Sequence, residues 1–242
     1  MNGAGPVLLG ALLGLVVGSF VAVLVRRWPA GRTIGGRSAC DGCGTALRWW
    51  ELVPLASHLA LRGRCARCGG AIDPRHAMIE LAGGAIGAVA LGVAPDATGL
   101  AGAVLGWTLL ALALLDLSHH WLPDRLTLPL VAGGLVIGTA APVDRAIGAV
   151  AGFASLWLVA AAYRRARGRI GLGLGDAKLF AALGAWLGWR ALPGVLLAAS
   201  LLGLAAALVL RATGRSVGWT TRLPLGTLLA ISGWGAWVAT RA

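Results

Sequence analysis

Charge is scarce in this sequence. Of its 242 residues only 12% are Asp, Glu, Lys or Arg, 58% are hydrophobic, and just nine are acidic. A soluble domain of this length needs a far more polar surface, so a water-soluble globular enzyme is excluded. Too little polar sequence remains for a separate enzymatic domain outside a membrane. The charge present is lopsided: 21 Lys and Arg give a formal net charge of +12. No soluble module carries a basic face, so the excess is read as fixing orientation in a lipid bilayer. No nucleic-acid partner is expected.

Apolar residues come instead in long runs, and mean hydropathy is +0.81. A bilayer core of roughly 30 Å needs about 20 apolar residues per helix. The pattern predicts an all-α polytopic membrane protein with about eight transmembrane helices. They are expected near 6–25, 77–95, 98–116, 125–141, 146–163, 176–189, 193–210 and 223–239. The first run lacks a basic leader and is followed by Arg26 and Arg27. It is therefore read as a retained helix entering from outside the cytosol, not as a cleaved signal. The abundant glycine and alanine suit close helix packing in lipid. The eleven tryptophans suit interface anchoring, with Trp49 and Trp50 at the membrane surface.

With eight spans the basic residues sort to one side. The loop 26–76 holds nine Arg, 117–125 holds Arg125, 164–178 holds four Arg and Lys178, and 211–222 holds Arg211, Arg215 and Arg222. These are 18 of the 21 basic residues, leaving Arg145, Arg190 and Arg241 opposite. The rich side is expected to be cytosolic.

All four cysteines fall in the first of these loops, as Cys40-Asp41-Gly42-Cys43 and Cys65-Ala66-Arg67-Cys68. Two Cys-x-x-Cys knuckles at this separation have zinc-ribbon spacing. Gly42 and Gly69 are expected to ease the turns. Four thiolates complete a tetrahedral zinc site and fold a loop too small to hold itself. Two disulfides are the competing reading, disfavoured in a reducing cytosol. Four cysteine ligands leave no open position, so zinc here is structural.

Four acidic residues stand near cytosolic span ends: Glu80, Asp116, Asp124 and Asp176. Ionisable groups at such places are functional candidates. Asp124, after Pro123, can cap the next helix, as can Asp176 after Gly175. Glu80 is read as a cap of the second span. Asp116 has no such explanation, because it ends an apolar run at a helix C-terminus, where the macrodipole disfavours negative charge. Two carboxylates brought together share a proton, one activating water while the other protonates a carbonyl oxygen. Gly173 and Gly175 beside Asp176 allow backbone and substrate to approach that carboxylate.

With these motifs the sequence resembles the bacterial type IV prepilin leader peptidases, a family of membrane aspartic peptidases, nearly end to end. Gly18-Ser19-Phe20-Val21 with Arg26-Arg27-Trp28-Pro29 resembles its N-terminal signature, and the paired knuckles its zinc loop. Asp116 through Leu122-Pro123-Asp124 and Thr127-Leu128-Pro129 resembles its first aspartate motif. Gly173-Leu174-Gly175-Asp176 with Lys178 resembles the second. One departure stands near the C-terminus, where Leu223-Pro224-Leu225-Gly226-Thr227 replaces the usual Pro-Phe-Gly-Pro.

The resemblance implies that Asp116 and Asp176 are the catalytic pair, supported by Gly173, Gly175, Lys178 and Asp124. It implies cleavage of the short basic leader of prepilin or pseudopilin precursors, serving type IV pili or type II secretion. It also implies N-methylation of the new terminus from S-adenosylmethionine, for which Glu80 is the candidate cofactor residue. The expected location is the bacterial inner membrane, multi-pass, with the active site facing the cytosol. The expected organisation is a first helix (1–25), a four-cysteine zinc loop (26–76) and a helical peptidase core (77–242). The competing readings are a peptidase without methyltransferase activity and a proton-coupled transporter. A transporter would carry charges at mid-span rather than at one membrane edge.

Overall fold

A computed structural model describes residues 4–169, 171–214 and 223–241, so Arg215 and Arg222 of the basic set lie outside it. Most of the described residues are helical. The helices are α1 (Ala4–Arg27), α2 (Ala56–Ala60), α3 (Pro74–Val93), α4 (Ala97–His119), α5 (Asp124–Ile137), α6 (Pro142–Arg167), α7 (Leu174–Leu187), α8 (Leu192–Ala212) and α9 (Leu225–Ala239). A helix of 14 residues or more stands at each of the eight expected places. Five are long and apolar enough to cross a membrane: α1, α3, α4, α6, and α8 with the turn before it. The other three, α5, α7 and α9, have 14, 14 and 15 residues. Such lengths reach only about 21–23 Å.

The chain forms two compact units, Met1–Trp107 and Thr108–Ala242, with the boundary inside α4. In the first, α1 and α3 pack through small residues. A Cβ on Gly10 would lie 2.1 Å from the Gly87 carbonyl oxygen, and one on Gly14 2.1 Å from that of Gly83. With no favourable water-exclusion term between helices in lipid, such backbone contact supplies the attraction. The Trp107 indole donates to the Gly83 carbonyl at 2.9 Å, locking α4's first half onto the same glycine stripe.

In the second unit α7 is the central element, buried along nearly its whole length from Ala177 to Trp186. Gly148 of α6 and Gly184 of α7 meet backbone to backbone, each ideal Cβ falling 2.1–2.2 Å from the other's carbonyl oxygen. On another side the Trp186 indole donates to the Leu130 carbonyl of α5 at 2.8 Å. Protein thus walls this 14-residue helix along most of its length. Conversely, α1 and α8 each present a row of exposed leucines, Leu8, Leu9 and Leu12 on one and Leu197, Leu201, Leu204 and Leu208 on the other. Such faces suit lipid tails.

Candidate active site and metal centre

Asp116 lies in the last turn of α4 and is 5% exposed. Its neighbourhood was not visible in the sequence. The N-terminus of α9 meets it: the Thr227 amide donates to Asp116 Oδ2 at 2.8 Å. The Thr227 hydroxyl lies 3.2 Å from the same oxygen and 2.9 Å from the Ala113 carbonyl. Pro224, the N-cap of α9, makes no side-chain cap bond. Asp116 therefore satisfies an amide that the helix leaves open, and the N-terminal dipole of α9 offsets the unfavourable C-terminus of α4. Gly226 permits the approach, since a Cβ there would fall 3.0 Å from Asp116 Cγ and 2.8 Å from Leu122 Cδ1. Gly226 and Thr227 are the site residues that sequence reasoning passed over. The only hint was the segment's likeness to the family's C-terminal pattern, in which Gly226 keeps the glycine and Thr227 replaces the last proline.

Asp176 is the third residue of α7, half-buried. It is not the helix cap it could have been: Gly173 occupies that position, with no side-chain cap bond. The Asp176 carboxylate instead lies against Gly173, whose ideal Cβ would fall 3.4 Å from Oδ2. Its principal charged neighbour is Asp116, close enough to repel it. Leu122 ties the two sides together, lying against both Gly175 and Gly226. The structure thus gathers Asp116, Asp176, Gly173 and Gly175 around one point in the second unit.

Asp124 also departs from the capping reading. Pro123 is the N-cap of α5, and Asp124 is the first helical residue, making no cap bond. It pairs with Lys178 Nζ at 2.6 Å, with both groups partly exposed. That pair joins the start of α5 to the second turn of α7, two residues from Asp176.

In the first unit each cysteine knuckle is a small hairpin, closed by antiparallel bridges between Ala39 and Ala46 and between Arg64 and Ala71. Gly44 (φ +68°) and Gly69 (φ +69°) take the left-handed positions. Gly69 was expected, but Gly44 serves where Gly42 had been assigned. The four Sγ atoms lie within 4.8 Å of one another, and Cys40 and Cys68 Sγ are 3.8 Å apart. That is far beyond a disulfide, and all four cysteines are free. A tetrahedron with metal–sulfur bonds of about 2.3 Å has edges of about 3.8 Å, so the donor set fits a four-coordinate thiophilic metal. Hydrogen bonds from Thr45, side chain first and then backbone, hold the Cys43 thiol down at about 6. Cys68 is pushed up to about 11: the Gly70 amide works the other way, but the neighbouring Cys43 and Cys65 outweigh it. Four sulfurs this close cannot all ionise without a cation among them.

Glu80 is not the cap of α3. Asp73 is, its side chain accepting the Arg75 amide at 2.9 Å. Glu80 lies two turns inside, 4% exposed. Its Oε2 accepts the Leu55 amide at 2.8 Å, and Oε1 lies 3.3 Å from His76 Nε2.

Two family models match the chain: the bacterial peptidase A24 N-terminal domain over residues 12–93, and the type IV leader peptidase family over residues 103–208. Relatives named prepilin leader peptidase/N-methyltransferase are similar over most of the chain. One from Burkholderia pseudomallei (strain K96243) is 43% identical over 92% of this chain and 82% of its own length. One from Neisseria gonorrhoeae is 39% identical over 93% and 88%. One from Pseudomonas aeruginosa is 41% identical over 94% and 88%. No solved structure matches.

Proposed function

The chain belongs to the type IV leader peptidase family, and from that premise we propose that it cleaves the leader of prepilin or pseudopilin precursors and N-methylates the exposed terminus. The observation that carries the cleavage reading is the placement of Asp116 and Asp176 at one site, each beside a glycine. Two carboxylates brought to one site can share a proton. The ionised member takes a proton from water as its oxygen attacks the scissile carbonyl. The protonated member gives its proton to the carbonyl oxygen. Collapse of the tetrahedral intermediate returns a proton to the leaving amine and resets the pair. Gly173 leaves room for an extended substrate backbone, Gly175 lets Leu122 pack close, and the Asp124–Lys178 pair fixes α5 against α7 beside it.

All eight helices of 14 residues or more are assigned to the membrane, the three short ones within the bundle. The arginine-rich loops then face the cytosol of a bacterial inner membrane, and the aspartates with them. The metal of the four-cysteine cluster is zinc, held by Cys40, Cys43, Cys65 and Cys68 in a structural role. The methyl donor is S-adenosylmethionine, which supplies a methyl group on a sulfonium.

The reading is tested with purified chain in lipid nanodiscs, a prepilin and S-adenosylmethionine, followed by intact mass spectrometry. The expected product has lost its leader and gained the mass of one methyl group. A precursor that stays whole overturns the peptidase reading, and a cleaved but unmethylated one overturns only the second half.

Two further results are expected. Asp124→Asn removes a partly exposed ion pair worth at most about 1 kcal/mol, so the cleavage rate falls by less than about tenfold. Cys40→Ser takes one ligand from the zinc site. Metal analysis is expected to fall from one zinc per wild-type chain to well under half, and limited proteolysis to cut first within 26–76. Because protons compete for the thiolates, wild-type zinc affinity is expected to fall as pH is lowered.

A further inference from the structure

The first unit contains a cavity of about 420 Å³ that the peptidase chemistry does not use. It lies between the cytosolic end of α1, the knuckles and the start of α3, with Ala22, Leu52 and Ile72 among its apolar walls. This volume is in the range of cavities that enclose a nucleoside-sized ligand. Four of the chain's nine carboxylates, Asp41, Glu51, Asp73 and Glu80, line it, against two arginines and the imidazoles of His58 and His76, and Arg26 is already paired with Asp41. Backbone amides hold three of the four: Arg48 for Glu51 at 2.6 Å, Arg75 for Asp73 at 2.9 Å, and Leu55 for Glu80 at 2.8 Å, with the His76 ring as the second partner of Glu80 at 3.3 Å. In a chain of net charge +12, this lining is the opposite of its surroundings and suits a cationic guest.

Glu80 is the most constrained of these groups. It is buried, and three elements converge on it: Leu55 at the start of α2, His76 one turn earlier on α3, and Ser19 of α1, whose Oγ lies 3.4 Å from His76 Nε2. Leu55 has φ +57°, a left-handed conformation that a leucine rarely takes. Such strain persists where the surroundings over-determine it, as at ligand sites.

We propose that this cavity is the methyl-donor site, holding S-adenosylmethionine, with Glu80 as the fixed carboxylate that selects the donor's positive charge. The proposal rests on the methyl-transfer reading above. The apolar walls take the adenine, and the carboxylates face the sulfonium and ammonium groups. Loss of the methyl group as the incoming amine's lone pair attacks leaves a neutral thioether, with the sulfur keeping the bonding electrons. That product has lost the charge Glu80 recognises. The site is therefore expected to hold S-adenosylmethionine more tightly than S-adenosylhomocysteine.

The test uses the full zinc-loaded chain in nanodiscs with radiolabelled S-adenosylmethionine in equilibrium dialysis. Wild type is expected to bind one donor per chain and to prefer it over S-adenosylhomocysteine. Glu80→Gln is expected to weaken donor binding about tenfold or more and to erase that preference. Equal weakening for both ligands would mean that Glu80 only holds the fold, and would overturn its assigned role. To remove dependence on a variant's folding, labelled donor is photo-crosslinked to wild type and the adduct mapped. Label within 15–80 supports the site. A wild type that methylates prepilin but takes label within 108–242 overturns the location alone. One that neither binds donor nor methylates overturns the methyl-transfer reading with it.

Discussion

Asp116→Asn and Asp176→Asn are each expected to reduce prepilin cleavage by about 10³-fold or more, and the double variant by no more than either alone. Each substitution is nearly isosteric. Asn at 116 keeps an oxygen able to accept the Thr227 amide, now at 2.8 Å, so α9 stays docked and the loss is chemical rather than structural. Removing a general acid or base typically costs 10²–10⁴-fold. Because the two carboxylates act as one proton-sharing unit, the second loss adds little. Initial rates on a co-expressed or reconstituted prepilin decide it. Either single variant retaining more than a tenth of wild-type activity would remove the aspartate-pair mechanism. Methyl transfer to a pre-cleaved pilin peptide is expected to continue in both variants, since neither residue lies in the first unit.

The groups most legible in the sequence were those placed against local propensity. Asp116 stood out as a charge ending an apolar run, and the cysteines by their spacing. In the structure Asp116 has Asp176 as a neighbour, and the four cysteine sulfurs lie together. Less legible was anything set by contacts distant in sequence. Thr227 reaches Asp116 across 111 residues, and no periodicity marks a helix N-terminus as the partner of a remote carboxylate. The capping reading of Glu80 fails for a related reason. The cap of α3 belongs to Asp73, beside Pro74, which leaves Glu80 inside the helix to hold a loop 25 residues earlier. Helix lengths escaped for a third reason. Hydropathy reports apolarity, but whether an apolar helix faces lipid or protein depends on packing. For α7 the partners are backbone contacts through Gly148 and Gly184, and glycine leaves no hydropathy signature of its partner.

Gly226→Val is expected to cost about 10²-fold or more in cleavage, and Thr227→Val about tenfold, with Thr227→Ser restoring most of the latter. At Gly226 any Cβ would press on Asp116 Cγ at 3.0 Å. Leu122 can swing its terminal methyl aside, but Asp116 can yield only by leaving its hydrogen bonds. A displacement of about 1 Å at a reacting group costs on the order of 10²-fold. Thr227→Val keeps the amide and the branched shape, so it isolates the hydroxyl. That hydroxyl has one proton and two oxygen neighbours, Ala113 O at 2.9 Å and Asp116 Oδ2 at 3.2 Å. When Asp116 is ionised, the proton can point to Oδ2. When Asp116 carries a proton on Oδ2, the hydroxyl can accept it and donate to the Ala113 carbonyl instead. Asp116 keeps a partner in both states, as a group that must gain and lose a proton in each turnover requires. Without the hydroxyl, one of those states loses a hydrogen bond in a buried site. Thr227→Val should then displace the pH–rate profile as well as lower kcat, whereas a purely structural loss would lower the curve without moving it. Thr227→Ser, with the same hydroxyl on a smaller side chain, should return the profile to its wild-type position. A profile that stays in place in Thr227→Val would reduce Thr227 to its backbone amide.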